Sequence, residues 1–410
     1  MTRAAVRPST SLLVKAVERW GTPLYVTDVD LAAHHLRGWQ AAFPGALIAY
    51  AVKANPDPHL LRRLVTAGAG CEVVTAVELA LARRAGCPPE RLVMNGVGKR
   101  DEEIHLALAA GATVNAESPD ELATLLRLAA DHPDARVGLR LNPALEADTH
   151  PHLATGAASS KFGIGLADLP DALAMVHGSG FGLTSLSAHI GSDIEDVAPY
   201  RALASVLARA AAQATAAGLP PARVDLGGGV ASADSSTLDA LAEAVRPSLP
   251  DATKLTWEPG RSLVADAGWL VTRVVRIQPR PDAGCIYLVA DAGMTELIRP
   301  MLYGADHPVF LLAPGASLTS APGAAVHLAG PICEAGDILA RDLGRWLSAE
   351  DLARAGAGAL LAIGEAGAYG AAMASGYNGR LRPAEAVIEG ASLLLSRRRE
   401  TLDDLLAREV

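Results

Sequence analysis

The sequence predicts an α/β protein in which a TIM-like (β/α)8 barrel precedes a mostly-β domain. Eight short β-rich runs alternate with amphipathic helical segments between residues 46 and 261, as in a barrel of parallel strands. No GxGxxG motif follows the first run, which disfavours a dinucleotide-binding sheet. Beyond residue 266, β-rich runs separated by Gly, Pro and Asp replace the long helical segments. An open eight-stranded sheet is the alternative to the barrel on pattern alone.

The barrel strands are predicted where apolar and β-branched residues form short runs. These runs are ALIAYAVKA (46–54), GCEVVT (70–75), RLVMNG (91–96), TVNAES (113–118), RVGLRLN (136–142), SLSAHIGS (185–192), RVDLGGG (223–229) and KLTWEPGR (254–261). Segments between them, such as HLLRRLVTAG and PDELATLLRLAAD, repeat apolar residues at i, i+3 and i+4. This spacing indicates helices with one buried face.

The remaining sequence predicts a second, mostly-β domain. Its apolar runs are WLVTRVVRI (269–277), CIYLVADAG (285–293), VHLAGPIC (326–333) and LLAIGEAGAYG (360–370). The early run PLYVTD (23–28) is also predicted as a strand, and it could join this domain. We therefore expect the barrel over residues 28–265 and the β domain over residues 1–27 and 266–410.

Composition excludes several classes of protein. The 410 residues carry a net charge of −9, whereas a nucleic-acid binder needs a basic face. No uncharged apolar run reaches the ~18 residues of a membrane span, and the N-terminal residues lack the apolar segment of a secretory signal. The four cysteines have no metal-ligand spacing, so reduced thiols and a cytoplasmic location are expected.

Polar residues cluster where the predicted barrel strands end, which is where barrels of this type carry their active sites. The residues at these ends are Lys53, Glu72, Thr75, Asn95, Asn115, Glu117, Arg140, Asn142, His189, Ser192, Gly227–Gly229, Glu258 and Arg261. Apolar strand bodies with polar ends predict a site at this face of the barrel.

Four of these features suggest one cofactor. Lys53 is a candidate Schiff-base amine, or else a surface lysine. Gly227–Gly229 suits a phosphate, or else forms a plain tight turn. Glu258 could hold a heteroaromatic nitrogen or pair with Arg261, and His189 could stack on a flat ring or lie in the core. A lysine, a phosphate cradle, a carboxylate and a stacking ring are together what pyridoxal phosphate needs from a protein.

Nine motifs occur in one order along nearly the whole chain: AYAVKAN (49–55), SKFGIG (160–165), AHIGS (188–192), GGG (227–229), EPGRS (258–262), DAGMTELIRPMLY (291–303), GPICEAGD (330–337), GAYG (367–370) and MASGYNGRLRPAE (373–385). In these motifs the chain resembles the fold-type III pyridoxal-phosphate decarboxylases, the ornithine/diaminopimelate/arginine decarboxylase family. The resemblance implies an alanine racemase-like barrel, pyridoxal 5'-phosphate as cofactor, and a homodimer with shared active sites.

The resemblance also implies roles for individual residues. Lys53 would form the Schiff base, His189 would stack on the ring, and Glu258 would pair with the ring nitrogen. The remaining cofactor-binding residues would be Ser192, Gly227, Gly228, Gly229, Pro259, Gly260, Arg261 and Tyr377. Cys333, supplied to the neighbouring subunit's site, or Lys53 would deliver a proton. The substrate-binding residues would be Arg261, Arg299, Tyr303, Glu334 and Tyr377.

A second amino-acid head on the substrate would present a carboxylate to arginines and an ammonium to Glu334. We therefore expect decarboxylation of meso-2,6-diaminopimelate to L-lysine and CO2, rather than of ornithine, which has no distal carboxylate. The alternative is a related decarboxylase of a specialised pathway acting on a modified or carrier-bound amino acid. A catalytically silent paralogue could lose its lysine or cysteine, whereas this chain has both Lys53 and Cys333. A racemase of the same cofactor fold would have a tyrosine base opposite the lysine rather than the segment that carries Cys333.

Some positions depart from the pattern of the family. Glu72 stands where many relatives have Asp, Val77 replaces a common Gly, and Asp193 follows HIGS where Gln is usual. The segment GGGVAS also lacks the usual continuation. Asp193 is expected to weaken anion binding slightly unless its carboxylate points away from the phosphate loop.

Overall fold

The computed structural model describes residues 6–145, 155–250, 253–318 and 323–410. The chain divides into two compact units, one comprising residues 33–263 and the other Met1–Ala32 with Val264–Val410. The predicted functional domains, with ends at residues 28 and 265, stay a prediction.

The first unit contains a closed barrel of eight parallel strands, which confirms the predicted fold class. Numbered along the whole chain, its strands are β2 (Leu47–Ala51), β3 (Gly70–Val73), β4 (Leu92–Met94), β5 (Thr113–Ala116), β6 (Arg136–Asn142), β8 (Leu183–Ser187), β9 (Arg223–Asp225) and β10 (Leu255–Trp257). Pairing of β10 with β2 closes the ring. A two-residue strand, β7 (Ile164–Gly165), pairs outside the ring with β6.

Helices follow the strands as the apolar spacing predicts. They are α2 (Val29–Ala42), α3 (Pro58–Thr66), α4 (Ala76–Arg84), α5 (Asp101–Ala109), α6 (Pro119–Ala129), α7 (Leu169–Ser179), α8 (Ala198–Ala216), α9 (Ser235–Val245) and α10 (Arg261–Val264). Local sequence sets their starts: the Asp57 carboxylate accepts hydrogen bonds from two N–H groups of α3, and Ser118 caps α6 just before Pro119. Both are preferred N-terminal arrangements.

Seven of the eight predicted barrel strands end earlier than their sequence runs, and β6 alone reaches the last residue of its run. The last three of these strands stop well before their polar ends. β8 ends at Ser187, β9 at Asp225 and β10 at Trp257. Beyond β9 the backbone of Gly227 has a φ of +67°, which is incompatible with a continuing strand. The polar residues that end these runs therefore lie in the loops just after the strands.

The second unit is built on a nine-stranded sheet. Its strands are β1 (Leu24–Asp28), β11 (Gly268–Arg280), β12 (Cys285–Ala290), β13 (Val309–Ala313), β14 (Ala325–Ala329), β15 (Ile338–Ala340), β16 (Leu360–Ile363), β17 (Ala384–Glu389) and β18 (Ser392–Arg397). The order is β15-β14-β12-β11-β1-β17-β18, and β16 pairs with both β11 and β13. Its helices are α1 (Thr10–Trp20), α11 (Arg299–Tyr303), α12 (Ala349–Ala353) and α13 (Leu402–Leu406).

The early strand β1 lies inside this sheet. It pairs antiparallel with β11 and parallel with β17, so the prediction that PLYVTD joins the β-rich part is confirmed. Leu13 and Val17 of α1 pack in the same core cluster as Val26 of β1. In the part of the chain that the structure describes, no helix is long and apolar enough to cross a membrane.

Candidate active site

Lys53 lies in a short 3-10 turn, Val52–Ala54, directly after β2. Its Nζ donates to Oε2 of Glu72 at 2.5 Å, and the Glu72 side chain is fully buried. A buried carboxylate is stable only when it is paired or hydrogen-bonded. The pair therefore fixes the lysine amine at the end of the barrel and supports an active-site rather than a surface role.

Two buried carboxylates share one amide near this lysine. Nδ2 of Asn95 donates to Oε1 of Glu72 at 3.2 Å and to Oε1 of Glu258 at 2.8 Å. Glu258 follows Trp257, which is buried against Trp39 with a ring-centroid distance of 5.4 Å. Because Trp257, the last residue of β10, packs on the helix side, the side chain of the residue that follows it is directed toward the barrel interior.

Glu258 lies beside a second acid, Asp225, at the end of the neighbouring strand. Burial, with the charges of Asp225 and Glu72, raises the pKa of Glu258 well above its ordinary value, although Lys53 opposes the shift. Burial also raises the pKa of Asp225 to about 6, while the hydrogen bond from Gly227 N–H lowers it. This pair of acids therefore retains a proton at a pH where exposed carboxyl groups are ionised.

Replacing Asp225 by Asn should increase the stability of the protein relative to the wild type as the pH rises. A raised pKa in the folded state stabilises the fold below the unfolded pKa of ~4, and this contribution is lost as the pH rises through ~6. Asn keeps the shape and does not titrate, so the difference in unfolding free energy should grow by up to about 3 kcal/mol between pH ~4 and ~7. Thermal unfolding across this range measures it.

The matched control is Asp239→Asn on an exposed face of α9. This variant should follow the wild-type profile at every pH. A constant offset between the Asp225→Asn and wild-type profiles would contradict the raised pKa.

His189 follows β8, in surroundings that favour the neutral form of its ring. Burial, with the positive charges of Arg140 and Lys53, holds the pKa of His189 well below its ordinary value. The backbone N–H of Gly228 donates to Nδ1 of His189 at 3.0 Å, so the ring proton is assigned to Nε2. A neutral ring held by the backbone has the properties required of a stacking group.

The three glycines after β9 lie where other chain segments come very close. A Cβ at Gly228 would be 2.2 Å from the Glu258 carbonyl oxygen, and one at Gly229 would be 2.2 Å from that of Gly191. The N–H groups of Gly227 and Gly228 donate to Asp225 and His189. Among the described residues, the N–H of Gly229 is the one of the three that remains available to a ligand.

Arg261 and Ser192 are adjacent. Nε and an Nη of Arg261 donate to Oγ of Ser192 at 3.4 and 3.3 Å. Asp193, one of the departures from the family pattern, forms an ion pair with Arg261 at 3.4 Å. The extra negative charge near the expected phosphate site is therefore partly neutralised by Arg261. Val77, another departure, is exposed on α4.

The β-rich unit holds the other predicted site residues. Arg299 begins α11 and is 3% exposed, with its guanidinium 5.4 Å from the ring centre of Tyr303 and 5.9 Å from that of Tyr369. Such aromatic contacts favour a planar cation. Arg299 and Tyr303 thus lie together as predicted, and Tyr369 is an additional neighbour.

The segment carrying Cys333 and Glu334 is fixed from two sides. Asp337 accepts hydrogen bonds from the N–H groups of Ile332 at 2.8 Å and Met294 at 2.7 Å. The side-chain oxygen of Asn378, a residue with a φ of +55°, accepts a hydrogen bond from the backbone N–H of Cys333 at 3.2 Å. The Tyr377 hydroxyl donates to Glu334 at 3.4 Å. Cys333 itself is exposed, and all four cysteines are free.

Each unit therefore brings together its own part of the predicted set. The barrel unit groups Lys53, His189, Ser192, Gly227–Gly229, Glu258 and Arg261, whereas the β-rich unit groups Arg299 with Tyr303, and Cys333 and Glu334 with Tyr377. The sequence analysis gave no role to Asp225, Asn378 or Asp337, and it placed Asn95 at a strand end without a function. Asp225 could have been found from its position just before the glycines.

The cofactor-binding part of the chain matches a known family model. Residues 30–265 match the pyridoxal-binding domain of the pyridoxal-dependent decarboxylases. The chain is 42% identical to a diaminopimelate decarboxylase of Deinococcus radiodurans over 97% of this chain and 98% of that protein. It is 36% identical to the Aquifex aeolicus enzyme of the same name over 95% and 92% of the two chains.

A solved structure extends the similarity to nearly the full length of the chain. The diaminopimelate decarboxylase of Helicobacter pylori, crystallised with L-lysine, has a TM-score of 0.87 and 32% identity, with 97% of this chain and 99% of that chain covered. Such coverage includes the β-rich unit that the domain model leaves out. The protein is thus a pyridoxal-dependent decarboxylase that belongs to the diaminopimelate decarboxylase family.

Proposed function

We propose that the protein removes one carboxyl group of meso-2,6-diaminopimelate as CO2 and releases L-lysine. The observation that carries this proposal is the presence, in the β-rich unit, of a buried arginine, Arg299, and of Glu334, whose carboxylate accepts the Tyr377 hydroxyl. An arginine suits the distal carboxylate of such a substrate, and a glutamate suits its distal ammonium. The family relationship and the lysine-bound relative agree with this substrate.

The barrel residues fit pyridoxal phosphate. When bound, this cofactor accepts the electron pair that departing CO2 leaves behind. Lys53 would hold its aldehyde carbon, and the carboxylate of Glu258 would accept a hydrogen bond from the protonated ring nitrogen, whose positive charge would oppose the effect of burial on that acid. The neutral His189 ring would cover one face. The close approach at Gly228 and Gly229 leaves no room for side chains beside the expected phosphate.

Ser192, Arg261 and the Gly229 N–H would bind the phosphate. Pro259 and Gly260 lie in the loop that contains Arg261. This loop begins at Glu258, whose carbonyl oxygen lies close to Gly228. Hydroxyl, guanidinium and backbone N–H donors are the usual partners of a phosphate in proteins. This assignment makes Gly229 the principal backbone donor, because Gly227 and Gly228 already donate within the protein.

A proton must replace the lost carboxyl group on the substrate carbon. Cys333 is exposed and its backbone is fixed by Asn378, which suits a proton donor, and the Lys53 amine is the other candidate. We assign Cys333 to the active site of a second copy of the chain. The protein would then act as a homodimer with shared sites, in the cytoplasm.

The test is turnover of the purified protein, supplied with pyridoxal phosphate, on meso-diaminopimelate, L-lysine and L-ornithine in parallel. Lysine and CO2 formed from diaminopimelate alone are the expected result. A cofactor-loaded protein that is inactive on all three would overturn the proposal and favour the specialised-pathway alternative.

Glu334→Ala should raise the KM for diaminopimelate at least about tenfold, because loss of a charged hydrogen bond costs about 1.5–3 kcal/mol. The affinity for the cofactor should remain close to that of the wild type. Steady-state kinetics and cofactor absorbance measure the two effects separately.

Glu389→Ala, at the exposed end of β17, is the matched control and should change neither quantity. Loss of bound cofactor in Glu334→Ala would show that this glutamate has been assigned to the wrong ligand.

A further inference from the structure

We propose that Asn95 is a positioning residue that holds Glu72 and Glu258 together through a single side-chain amide. It would thereby connect the lysine end of the cofactor site with the ring-nitrogen end. The inference rests on the proposed use of pyridoxal phosphate and adds to it a residue with no assigned role.

The first argument is the number of hydrogens that the Asn95 amide can donate. A side-chain NH2 carries two, and both are used on carboxylates, toward Glu72 at 3.2 Å and toward Glu258 at 2.8 Å. The second carboxylate oxygen of Glu72 accepts a hydrogen bond from the Lys53 amine. One amide is thus shared between the acid that pairs with Lys53 and the acid expected at the ring nitrogen.

The second argument is that this amide has a fixed orientation. Nδ2 of Asn115 donates to the side-chain oxygen Oδ1 of Asn95 at 2.9 Å. The backbone of Asn95 is also held, because its backbone N–H donates to the Val73 carbonyl at 3.0 Å. A Cβ at Gly138 would lie 2.0 Å from Oδ1 of Asn115. The chain therefore has a glycine where any side chain would displace the partner that orients Asn95.

The third argument concerns charge. Glu258 faces two further acids, Asp225 and Glu72, and one cation, Lys53. The hydrogen bond from Asn95 favours the ionised form of Glu258, whereas burial and the two acids oppose it. Without this donor the pKa of Glu258 would rise further, and fewer molecules would present a carboxylate to the ring nitrogen at neutral pH.

Asn95→Leu and Asn95→Asp test the proposal. The full-length proteins are titrated with pyridoxal phosphate across a pH series, and cofactor absorbance reports binding. Asn95→Leu should weaken binding about tenfold or more at neutral pH and move the binding profile to higher pH. At saturating cofactor, kcat should fall while KM for diaminopimelate stays within about twofold, because Asn95 is not assigned to the substrate.

Asn95→Asp separates a donor from a space-filling residue. The Asp side chain has the same shape as Asn, but when ionised it donates no hydrogen bond and adds another negative charge. The Asn95→Asp variant should therefore bind the cofactor more weakly than Asn95→Leu near neutral pH. Binding should recover relative to Asn95→Leu as the pH falls, because a protonated Asp donates one hydrogen. Asn95→Ser retains one donor and should be intermediate, which provides a test should the other variants not fold.

The matched control is Gln40→Leu. Gln40, in α2, also donates from a side-chain amide, to the Ala67 carbonyl at 3.0 Å. Its replacement should lower the melting temperature without changing cofactor affinity. Equal loss of cofactor in Gln40→Leu and Asn95→Leu, or wild-type binding by Asn95→Asp, would overturn the role of Asn95. Absence of cofactor binding by the wild type would overturn the proposed function as well.

Discussion

Replacing Lys53 by alanine should abolish the visible absorbance of bound pyridoxal phosphate and reduce decarboxylation at least about a thousandfold. The amine is the group expected to hold the cofactor covalently, and Lys53 is the lysine in the turn directly after β2. The change also leaves the buried Glu72 carboxylate without the Lys53 contact of 2.5 Å. Absorbance spectra and kcat on diaminopimelate measure the effect.

Lys15→Ala removes an exposed lysine from α1 and is the control for loss of a positive charge. It should retain wild-type spectra and turnover. Turnover by Lys53→Ala within about tenfold of wild type would refute the assignment of the Schiff base.

Mixing inactive Lys53→Ala protein with inactive Cys333→Ala protein should restore about a quarter of wild-type activity. If two copies share their sites, half of the randomly assorted dimers contain both variants, and one of their two sites has an intact lysine and an intact cysteine. Activity after mixing and re-equilibration, normalised to total protein, measures the restored fraction.

Each variant mixed with itself is the control and should stay inactive. Exchange of subunits is verified independently by co-purification of an untagged variant with a tagged one. Verified exchange with no restored activity would contradict the shared site and would indicate that Lys53 and Cys333 of the same chain act together.

The barrel could be predicted from the sequence because its signals are local. Apolar runs such as that before Lys53 and helical spacing such as that in α6 repeat with fixed periods, and a parallel barrel is the fold that their alternation favours. The strand ends were less predictable. The run through His189 continues in sequence beyond β8, but the strand ends at Ser187, since pairing with neighbours determines where a strand stops.

The contacts of Asn95 could not be predicted in the same way. Its bond to Glu72 joins neighbouring strands, whereas its bond to Glu258 joins β4 with β10, which are separated in the barrel by β2 and β3. Such a contact across the interior depends on barrel diameter and side-chain direction. Likewise, the bond from Cys333 to Asn378 joins two irregular segments 45 residues apart, where no periodic pattern constrains the fold.

The position of β1 has a consequence for synthesis of the protein on the ribosome. Its partner strands begin at Gly268 and Ala384, so this early segment must wait for nearly the entire chain before its backbone is paired on both edges. Residues 33–263, by contrast, include all eight barrel strands and are complete much earlier. Premature termination before β17 would leave β1 with an open edge, and open edges promote aggregation. The edge of β1 that pairs with β17 is therefore expected to stay open until late in translation, after the barrel sequence has already emerged.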